Sequence, residues 1–201
     1  LFALLMVVSL LAGCGGKTEQ QNKFQTFEDF ENARLGVLTG SVFDKQTQEL
    51  FPNAKKYNID DIVDLFVNLD ENKIDGFLLD RSCYSGVGWE KSGYRAIESD
   101  KTTPSEFAFA TSSTDKGNKI NRELNEFIAK MNENGGTKKL ADKWFSGTRP
   151  TELEDYKSLT GENGTILVAL TDTDPPFCYR EGDILAGFDV EYIILFAREY
   201  G

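Results

Sequence analysis

The feature that most constrains this fold is an alternation of strand-like and helix-like segments between Leu35 and Asp80. Short runs predict strands at Leu35–Thr39, Lys55–Ile59 and Gly76–Leu79, with Asp80 directly after the third. A helical pattern fills each gap. A β-α-β-α-β order requires parallel strands joined by right-handed crossovers. The sequence therefore predicts an α/β lobe in which a parallel-rich sheet is flanked by helices.

The two helices of this lobe have recognisable starts. The first is predicted over Phe43–Phe51, with Ser41 as its N-terminal cap. The second is predicted to begin after Asp60, which we interpret as its cap. Its apolar face recurs at helical spacing. That face comprises Ile62, Val63, Leu65, Phe66 and Leu69.

The middle of the chain contains two more predicted strands and two more predicted helices. The strands are Tyr94–Ile97 and Phe107–Thr111, and the helices are Lys116–Asn134 and Thr137–Phe145. The longer helix has an apolar stripe that requires a packing partner. The stripe consists of Ile120, Leu124, Phe127, Ile128 and Met131.

The last quarter of the chain has the pattern of a domain start. Residues 149–164 are polar, contain Pro150, Gly161 and Gly164, and are predicted to be a linker. Residues 165–201 then open with an apolar β run and turn at Pro175 and Pro176. They end in a helical pattern.

Composition excludes several classes of function. The net charge of -11 and pI near 4.6 argue against nucleic acid as a partner, because phosphates require a basic surface. The chain has no histidine, which removes the commonest general base. Its cysteines, Cys14, Cys83 and Cys178, have no CxxC spacing, so we predict neither a metal site nor a cofactor.

The N-terminus has the pattern of an export signal. Residues 1–13 are apolar but shorter than the roughly 20 residues of a membrane-spanning helix. They lead into Leu-Ala-Gly-Cys14, which resembles the bacterial lipobox, in which the cysteine is lipidated. The resemblance implies a signal peptide over 1–14, a tether over 15–26 and a lipid anchor on Cys14 outside the cytoplasmic membrane. No initiator Met precedes Leu1, so we expect an N-terminally incomplete chain.

Candidate binding groups follow two of the predicted parallel strands. Thr39 and Ser41 lie at a helix N-terminus, where free N–H groups and hydroxyls favour a carboxylate. Asp80 is suited to an ammonium group, and the two strand ends together suit a zwitterion. Simple capping explains Ser41 equally well, and a turn role explains Asp80 about as well. No nucleophile stands beside a plausible base, so the sequence does not predict an enzyme.

Three stretches together resemble family 3 bacterial extracellular solute-binding proteins, which serve ABC transporters of polar amino acids. Residues Phe27–Asp80 resemble the family's second lobe, through RLGVLTGSVFD and NKIDGFLLD. Residues Lys119–Gly147 resemble its closing helices, which end in a KWF-like signature. Residues Thr165–Gly201 resemble its opening, through VALTDTDPPFCY and AGFDVEYI. The resemblance implies a type II periplasmic-binding-protein-like fold.

The resemblance also implies ligand contacts. Ser41, with Thr39 in the same loop, falls where the family contacts the ligand carboxylate, and Asp80 falls where it holds the α-amino group. Asp174 departs from the family, which usually has an aromatic side chain there to pack on the ligand. Phe177 is either a substitute for that aromatic or a core residue. The arginine with which the family grips the carboxylate falls later in lobe one than Gly201.

The order of the stretches differs from that of the family. We expect lobe two over 27–111, closing helices over 112–148 and the incomplete start of a lobe one over 165–201. Either a tandem array or a permuted module explains this order. We favour an arrangement in which residues 165–201 pack on the closing helices, because their apolar stripe is costly to expose.

The predicted function is an extracytoplasmic, lipid-anchored solute-binding protein. It captures amino acids or similar small polar solutes by closing two lobes, and it delivers them to an ABC permease. An alternative is the ligand-sensing extracellular module of a membrane kinase or cyclase. A third hypothesis is an accessory module of an enzyme, such as a peptidoglycan lyase.

Overall fold

The computed structural model describes residues 4–9, 23–86, 93–102, 106–148 and 150–201 of the chain. The chain divides into two compact units, Leu1–Ser105 and Glu106–Gly201. Each unit has its own sheet and its own buried core. Residues Phe107–Thr111, which were predicted to be a strand, lie in the second unit.

The first unit is built on a five-stranded sheet. Its strands are β1 (Leu4–Ser9), β2 (Arg34–Leu38), β3 (Lys55–Ile59), β4 (Gly76–Asp80) and β5 (Tyr94–Glu98). They are arranged in the order β3-β2-β4-β1-β5. Strand β2 pairs in parallel with β3 and β4, while β1 pairs antiparallel with β4 and β5. The parallel β-α-β-α-β order predicted from the sequence is confirmed.

The two central parallel strands are the most apolar part of this sheet. Leu35 and Val37 of β2 are fully buried, as are Phe77 and Leu79 of β4. The helix that contains Leu65 approaches closely at Gly36, where an added Cβ would lie 2.8 Å from a methyl of Leu65. Strand β3 is at the edge of the sheet, and all of its residues are exposed or only partly buried. Lysines on such an edge hinder pairing with another strand.

The described part of the first unit contains three α-helices, α1 (Val42–Leu50), α2 (Ile62–Asp70) and α3 (Arg81–Gly86), and a short 3-10 helix at Phe27–Phe30. Two details of the prediction for α2 are wrong. The cap is Asp61 rather than Asp60, and its side chain accepts a 2.7 Å hydrogen bond from the Val63 amide. Val63 itself is 53% exposed, because it lies one position off the row formed by Ile62, Leu65, Phe66 and Leu69.

A cluster of aromatic rings, beginning at Phe24, forms part of the buried core of the first unit. Phe24 is buried and stacks on Phe30 with ring centroids 4.6 Å apart. Phe27 lies 4.6 Å from Phe51, the residue that follows α1. The end of the predicted tether, from Phe24 onwards, is thus folded into the core.

Strand β1 uses part of the segment that the sequence predicts to be an export signal. Its backbone pairs with β4, where Leu4 stands opposite Asp80, and with β5, where Ser9 stands opposite Tyr94. No helix among the described residues is long and apolar enough to cross a membrane. Cys14 and most of the predicted tether lie outside the described residues, so the signal and the anchor remain predictions.

The second unit combines three helices with a small antiparallel sheet. The helices are α4 (Asp115–Glu133), α5 (Gly136–Trp144) and α6 (Phe188–Tyr200), and the strands are β6 (Thr173–Asp174), β7 (Cys178–Glu181) and β8 (Ile184–Ala186). The strands predicted at Phe107–Thr111 and at the start of residues 165–201 are not formed. Neither segment pairs with a strand among the described residues, and Leu167 is fully exposed.

The core of the second unit forms where α6 and the small sheet pack on α4 and α5. Phe127 of α4 meets Tyr192 and Phe196 of α6 edge-on, with ring centroids 5.6 Å and 5.7 Å apart. Trp144 of α5 meets Tyr179 of β7 at 6.2 Å. Residues 165–201 therefore pack against the closing helices, as we expected. Both a tandem array and a permuted module are compatible with this contact.

The predicted linker makes specific contacts with α6. Asn163 donates hydrogen bonds to the carbonyl groups of Tyr200 and Gly201, both at 2.6 Å. Arg198 forms a 2.5 Å ion pair with Glu154. Because the last carbonyls of a helix have no partner inside it, the Asn163 contacts stabilise the end of α6. This part of the chain is held to the unit rather than free.

The contact between α5 and α6 includes one buried carboxylate. Glu191 is 7% exposed, and its carboxylate accepts hydrogen bonds from Lys143 Nζ at 2.7 and 2.9 Å and from Trp144 Nε1 at 2.9 Å. All three groups would be poorly solvated if any partner were removed. Glu191 thereby links the closing helices to residues 165–201.

We expect Glu191→Ala to lower the free energy of unfolding by about 2 kcal/mol, because it leaves the buried Trp144 indole N–H without an acceptor. Urea denaturation followed by tryptophan fluorescence measures the change. The control is Asp142→Ala, which breaks an exposed pair with Lys138 and is expected to cost at most about 0.5 kcal/mol. Equal effects of the two variants would contradict the importance assigned to Glu191.

Candidate functional site

Thr39 and Ser41 lie at the carboxyl end of β2, where the chain turns into α1. Gly40 between them adopts a φ of 74°, which favours glycine. Ser41 is the N-cap residue of α1, but its hydroxyl donates to the Leu38 carbonyl at 2.7 Å and caps no helix N–H. Thr39 Oγ1 donates to the Ile59 carbonyl at 3.3 Å. Simple side-chain capping by Ser41 is therefore not what the structure shows.

The geometry of this turn leaves the start of α1 suited to an anion. The first N–H groups of a helix have no acceptor within the helix, and the helix dipole makes this end partly positive. No side chain among the described residues caps α1. The first turn also contains Asp44, whose carboxylate forms a 2.5 Å ion pair with Lys56 Nζ. Lys56, which our sequence reasoning missed, offsets the negative charge that Asp44 brings to this end.

Asp80 is the last residue of β4, the strand that neighbours β2. The parallel pairing matches Leu35 with Gly76 and Gly36 with Phe77. Continuing that register places Thr39 level with Asp80 on the same edge of the sheet. Asp80 is half-buried, and α3 begins at the next residue. The structure thus brings together the three candidate residues of the first unit.

Asp174 and Phe177 belong to the second unit. Asp174 is the half-buried last residue of β6, and its carbonyl accepts a 2.9 Å hydrogen bond from the Phe177 amide. Phe177 is 5% exposed and lies among the rings of Phe145 and Phe188, at 5.2 and 6.4 Å. Of the two roles that the sequence left open for Phe177, the structure supports the core role.

Asp189 is a second carboxylate near this turn that our sequence reasoning missed. It lies in the first turn of α6, and its amide donates to the Phe177 carbonyl at 3.0 Å. Burial, together with the charge of Asp174, raises the pKa of Asp189 to about 6. The only sequence signal for Asp189 was its position at the start of a predicted helix. An acidic residue there is ordinarily interpreted as stabilising the positive end of the helix dipole.

Neither cysteine in the described part of the chain is an exposed thiol. Cys83 and Cys178 are both buried, and no disulfide joins them. Burial and the nearby charge of Asp189 raise the pKa of the Cys178 thiol to about 11, so it is protonated at neutral pH and a poor nucleophile. Within the described ranges, no group of three or more His, Cys, Asp or Glu residues could hold a metal ion.

Solved structures identify the fold class. One similar structure is that of an amino acid ABC transporter substrate-binding protein from Streptococcus pneumoniae, bound to L-arginine. The match covers 73% of this chain and 59% of that protein, with a TM-score of 0.57 and 15% identity. An ancestral amino-acid-binding protein, a precursor of cyclohexadienyl dehydratase, matches 72% and 59% with a TM-score of 0.52 and 18% identity. The fold is that of the type II periplasmic amino-acid-binding proteins.

A match in sequence points to the same class. Over 131 residues the chain is 25% identical to ABC transporter arginine-binding protein 1 of Escherichia coli. The matched region covers 63% of this chain and 53% of that protein. The matched part thus spans about half the length of this relative. No protein-family model matches the chain. Sequence and fold together support homology to the solute-binding proteins of amino-acid ABC transporters.

The raised pKa of Asp189 predicts a measurable pH dependence. A carboxyl whose pKa is higher in the folded than in the unfolded chain stabilises the fold below pH 4, and this contribution is lost as the pH rises through about 6. Asp189→Asn imitates the protonated form. We therefore expect its Tm to exceed that of the parent by a few degrees above pH 7, and the difference to vanish below pH 4.

Thermal unfolding of the two proteins between pH 3.5 and 7.5 tests this expectation. The control is Asp64→Asn, which removes an exposed carboxylate of α2. This variant shows how much of any change comes from the loss of one negative charge alone. A variant Asp189→Asn that is less stable than the parent at pH 7 would show that the charged form is favoured in the fold.

Proposed function

We propose that this chain is an extracytoplasmic binding lipoprotein that captures an amino acid for an ABC transporter. The observation that carries the proposal is the shared sheet edge of Thr39, Ser41 and Asp80. This edge belongs to a fold used by amino-acid-binding proteins. Ligands of open α/β sheets bind beyond the carboxyl ends of the strands, which is where these residues lie.

The chemistry of this edge suits both charged groups of an amino acid. The N–H groups at the start of α1 bind the ligand carboxylate. The Thr39 and Ser41 hydroxyls donate to it after rotating away from the Ile59 and Leu38 carbonyls, to which they donate in the unliganded structure. The Asp80 carboxylate accepts hydrogen bonds from the ligand ammonium group. Each group alone is common in proteins. They follow adjacent strands, whose backbones are about 4.8 Å apart, so one small zwitterion can reach both.

The proposed ligand is a basic amino acid. Two of the similar proteins are described as an arginine-binding protein and as bound to L-arginine. In the second unit, Asp174 and Asp189 provide negative charge at the turn before α6. A cationic side chain would relieve the repulsion between these carboxylates. By the family resemblance Asp174 is assigned to a ligand-facing turn of the second unit, whereas Phe177 supports this turn from the core.

Asp80→Asn is expected to weaken binding of L-arginine by about 2 kcal/mol, or roughly 30-fold, because the amide cannot accept charge-assisted hydrogen bonds from ammonium in the same way. Isothermal titration calorimetry with L-arginine and L-glutamine measures the affinities. Asp64→Asn removes an equal charge from the exposed face of α2 and should leave them unchanged. The amino-acid site is wrong if no common amino acid raises the Tm of the parent and Asp80→Ala behaves like the parent.

The proposed anchor gives a separate prediction about Cys14. In a bacterial host that lipidates exported proteins, the chain is expected in the membrane fraction, and Cys14→Ser is expected in the aqueous fraction. Fractionation and immunoblotting measure the distribution. Cys83→Ser removes a buried thiol and should not change it. A membrane-bound Cys14→Ser protein would contradict lipidation at this residue.

A further inference from the structure

Strand β1 lies inside the sheet of the first unit, between two strands that do not pair with each other in the described sheet. It pairs antiparallel with β4 through Leu4–Val7 and antiparallel with β5 through Leu5–Ser9. In the order β3-β2-β4-β1-β5, strand β5 joins the described sheet only through β1. Removal of β1 would therefore leave a gap one strand wide, with β4 and β5 as its two edges.

The residues of β1 belong to the segment that the sequence predicts to be an export signal. The proposed processing hydrolyses the peptide bond between Gly13 and Cys14, and water supplies the hydroxyl of the new carboxyl group and a hydrogen for the new amine. Strands β2 to β5 all follow Cys14 and stay in the mature chain, whereas β1 leaves with residues 1–13. The proposed maturation thus removes a strand from the interior of the sheet.

The gap between β4 and β5 is costly to leave empty. Phe77, Leu78 and Leu79 of β4 are each at most 2% exposed, and loss of the neighbouring strand would uncover them. The backbone N–H and C=O groups that β4 and β5 direct towards β1 would also lose their partners. Because β4 and β5 are two inter-strand spacings apart, roughly 10 Å, they cannot bond to each other without moving. Another strand in the gap restores both rows of hydrogen bonds.

The strand in the gap indicates what else fits there. Leu4–Ser9 has the sequence LLMVVS, with six residues, no charge and no proline. A charged side chain beside the buried residues of β4 would be desolvated, and a proline would remove an N–H from the pairing. Main-chain pairing on both sides supplies affinity without requiring one particular sequence. The gap therefore suits an extended, apolar and uncharged segment of a polypeptide.

We propose that the gap between β4 and β5 is a strand-binding site. Leu4–Ser9 fills it in the uncleaved chain, and an apolar segment of a partner polypeptide fills it in the mature chain, paired antiparallel with both strands. The opening of this site rests on the proposed processing at Cys14. The site itself goes beyond the proposed function, because its ligand is a polypeptide and lies within the sheet rather than beyond the carboxyl ends of its strands.

The test uses the whole chain, which is folded and purified before it is cut at a protease recognition sequence inserted after Gly16. The probe is a fluorescent synthetic peptide of residues 2–10 with two added lysines at each end for solubility, and fluorescence anisotropy measures its binding. We expect the cut chain to bind one peptide per chain. The uncut chain should bind it about ten-fold more weakly or less, because its tethered strand competes at an effective concentration of about 1 mM.

A matched peptide with Val7→Pro is the control for strand pairing. It keeps the apolar character but loses one N–H, so it should bind about ten-fold more weakly than the parent peptide. A cysteine pair tests the register under mild oxidation. Peptide Leu5→Cys should cross-link to Glu98→Cys, which stands opposite, and not to Ile97→Cys, because neighbouring residues of a strand face opposite sides of the sheet.

The possible outcomes separate this inference from the proposed function. The inference fails if the cut chain takes up no peptide, whether it keeps its own strand or forms dimers in size-exclusion chromatography. It also fails if the Val7→Pro peptide binds as tightly as the parent peptide, or if mass spectrometry shows that the exported protein keeps residues 1–13. Specific peptide uptake by a chain that binds no amino acid would overturn the amino-acid-binding proposal and leave the strand-binding site.

Discussion

The candidate site depends on the parallel pairing of β2 with β4. Parallel strands bring their carboxyl ends to one edge, and the register that matches Gly36 with Phe77 brings Thr39 level with Asp80. A slip of one residue would turn every side chain of one strand to the other face of the sheet. The slip is prevented by burial, since Leu35, Val37 and Phe77 would lose their apolar surroundings. The close approach at Gly36 also leaves no room for another residue there. The position of the polar groups is thus determined by apolar packing.

The second unit depends on a different constraint, which is the need to cover the apolar faces of α4 and α5. Two helices alone bury too little surface to be stable, so most of their stability comes from packing against other elements. Residues 165–201 supply that packing, mainly through the rings of Tyr192 and Phe196. The buried carboxylate of Glu191 adds specificity, because it satisfies Trp144 and Lys143 only in one alignment of the helices. A helix of similar apolar content without this carboxylate would leave the Trp144 indole unpaired.

The sequence predicted the helices and the parallel strands well because both have strong periodic patterns that local sequence determines. It predicted the helix start at Asp60 incorrectly, since Asp60 and Asp61 are equally good caps and only the backbone geometry distinguishes them. It failed more seriously at Phe107–Thr111 and at the start of residues 165–201. An apolar run indicates a strand only where a neighbouring strand offers hydrogen bonds, and sequence pattern does not report neighbours.

The candidate site, like the fold, could be predicted only in part from the sequence. Thr39, Ser41 and Asp80 could be found because they follow predicted strands, and their shared edge then follows from parallel topology. Lys56 and Asp189 could not be found in this way. Each acts through an interaction between residues distant in sequence: Lys56 pairs with Asp44, and the charge of Asp174 acts on Asp189. Such contacts become visible only when the fold is known.

The acidic character of the chain explains why the proposed site needs a local positive potential. With a net charge of -11, the protein as a whole attracts a cation and repels the carboxylate that every amino acid also has. Binding therefore requires a local source of positive potential, and the start of α1 supplies one through its N–H groups and dipole. Asp44 would cancel part of that potential, and its ion pair with Lys56 offsets the loss. In the proposed complex, the anionic end of the ligand would be bound by backbone dipoles, which cannot be neutralised by protonation or removed by a single substitution. The ligand ammonium group would depend instead on one carboxylate, that of Asp80, so a substitution there would weaken binding without abolishing recognition of the ligand carboxylate.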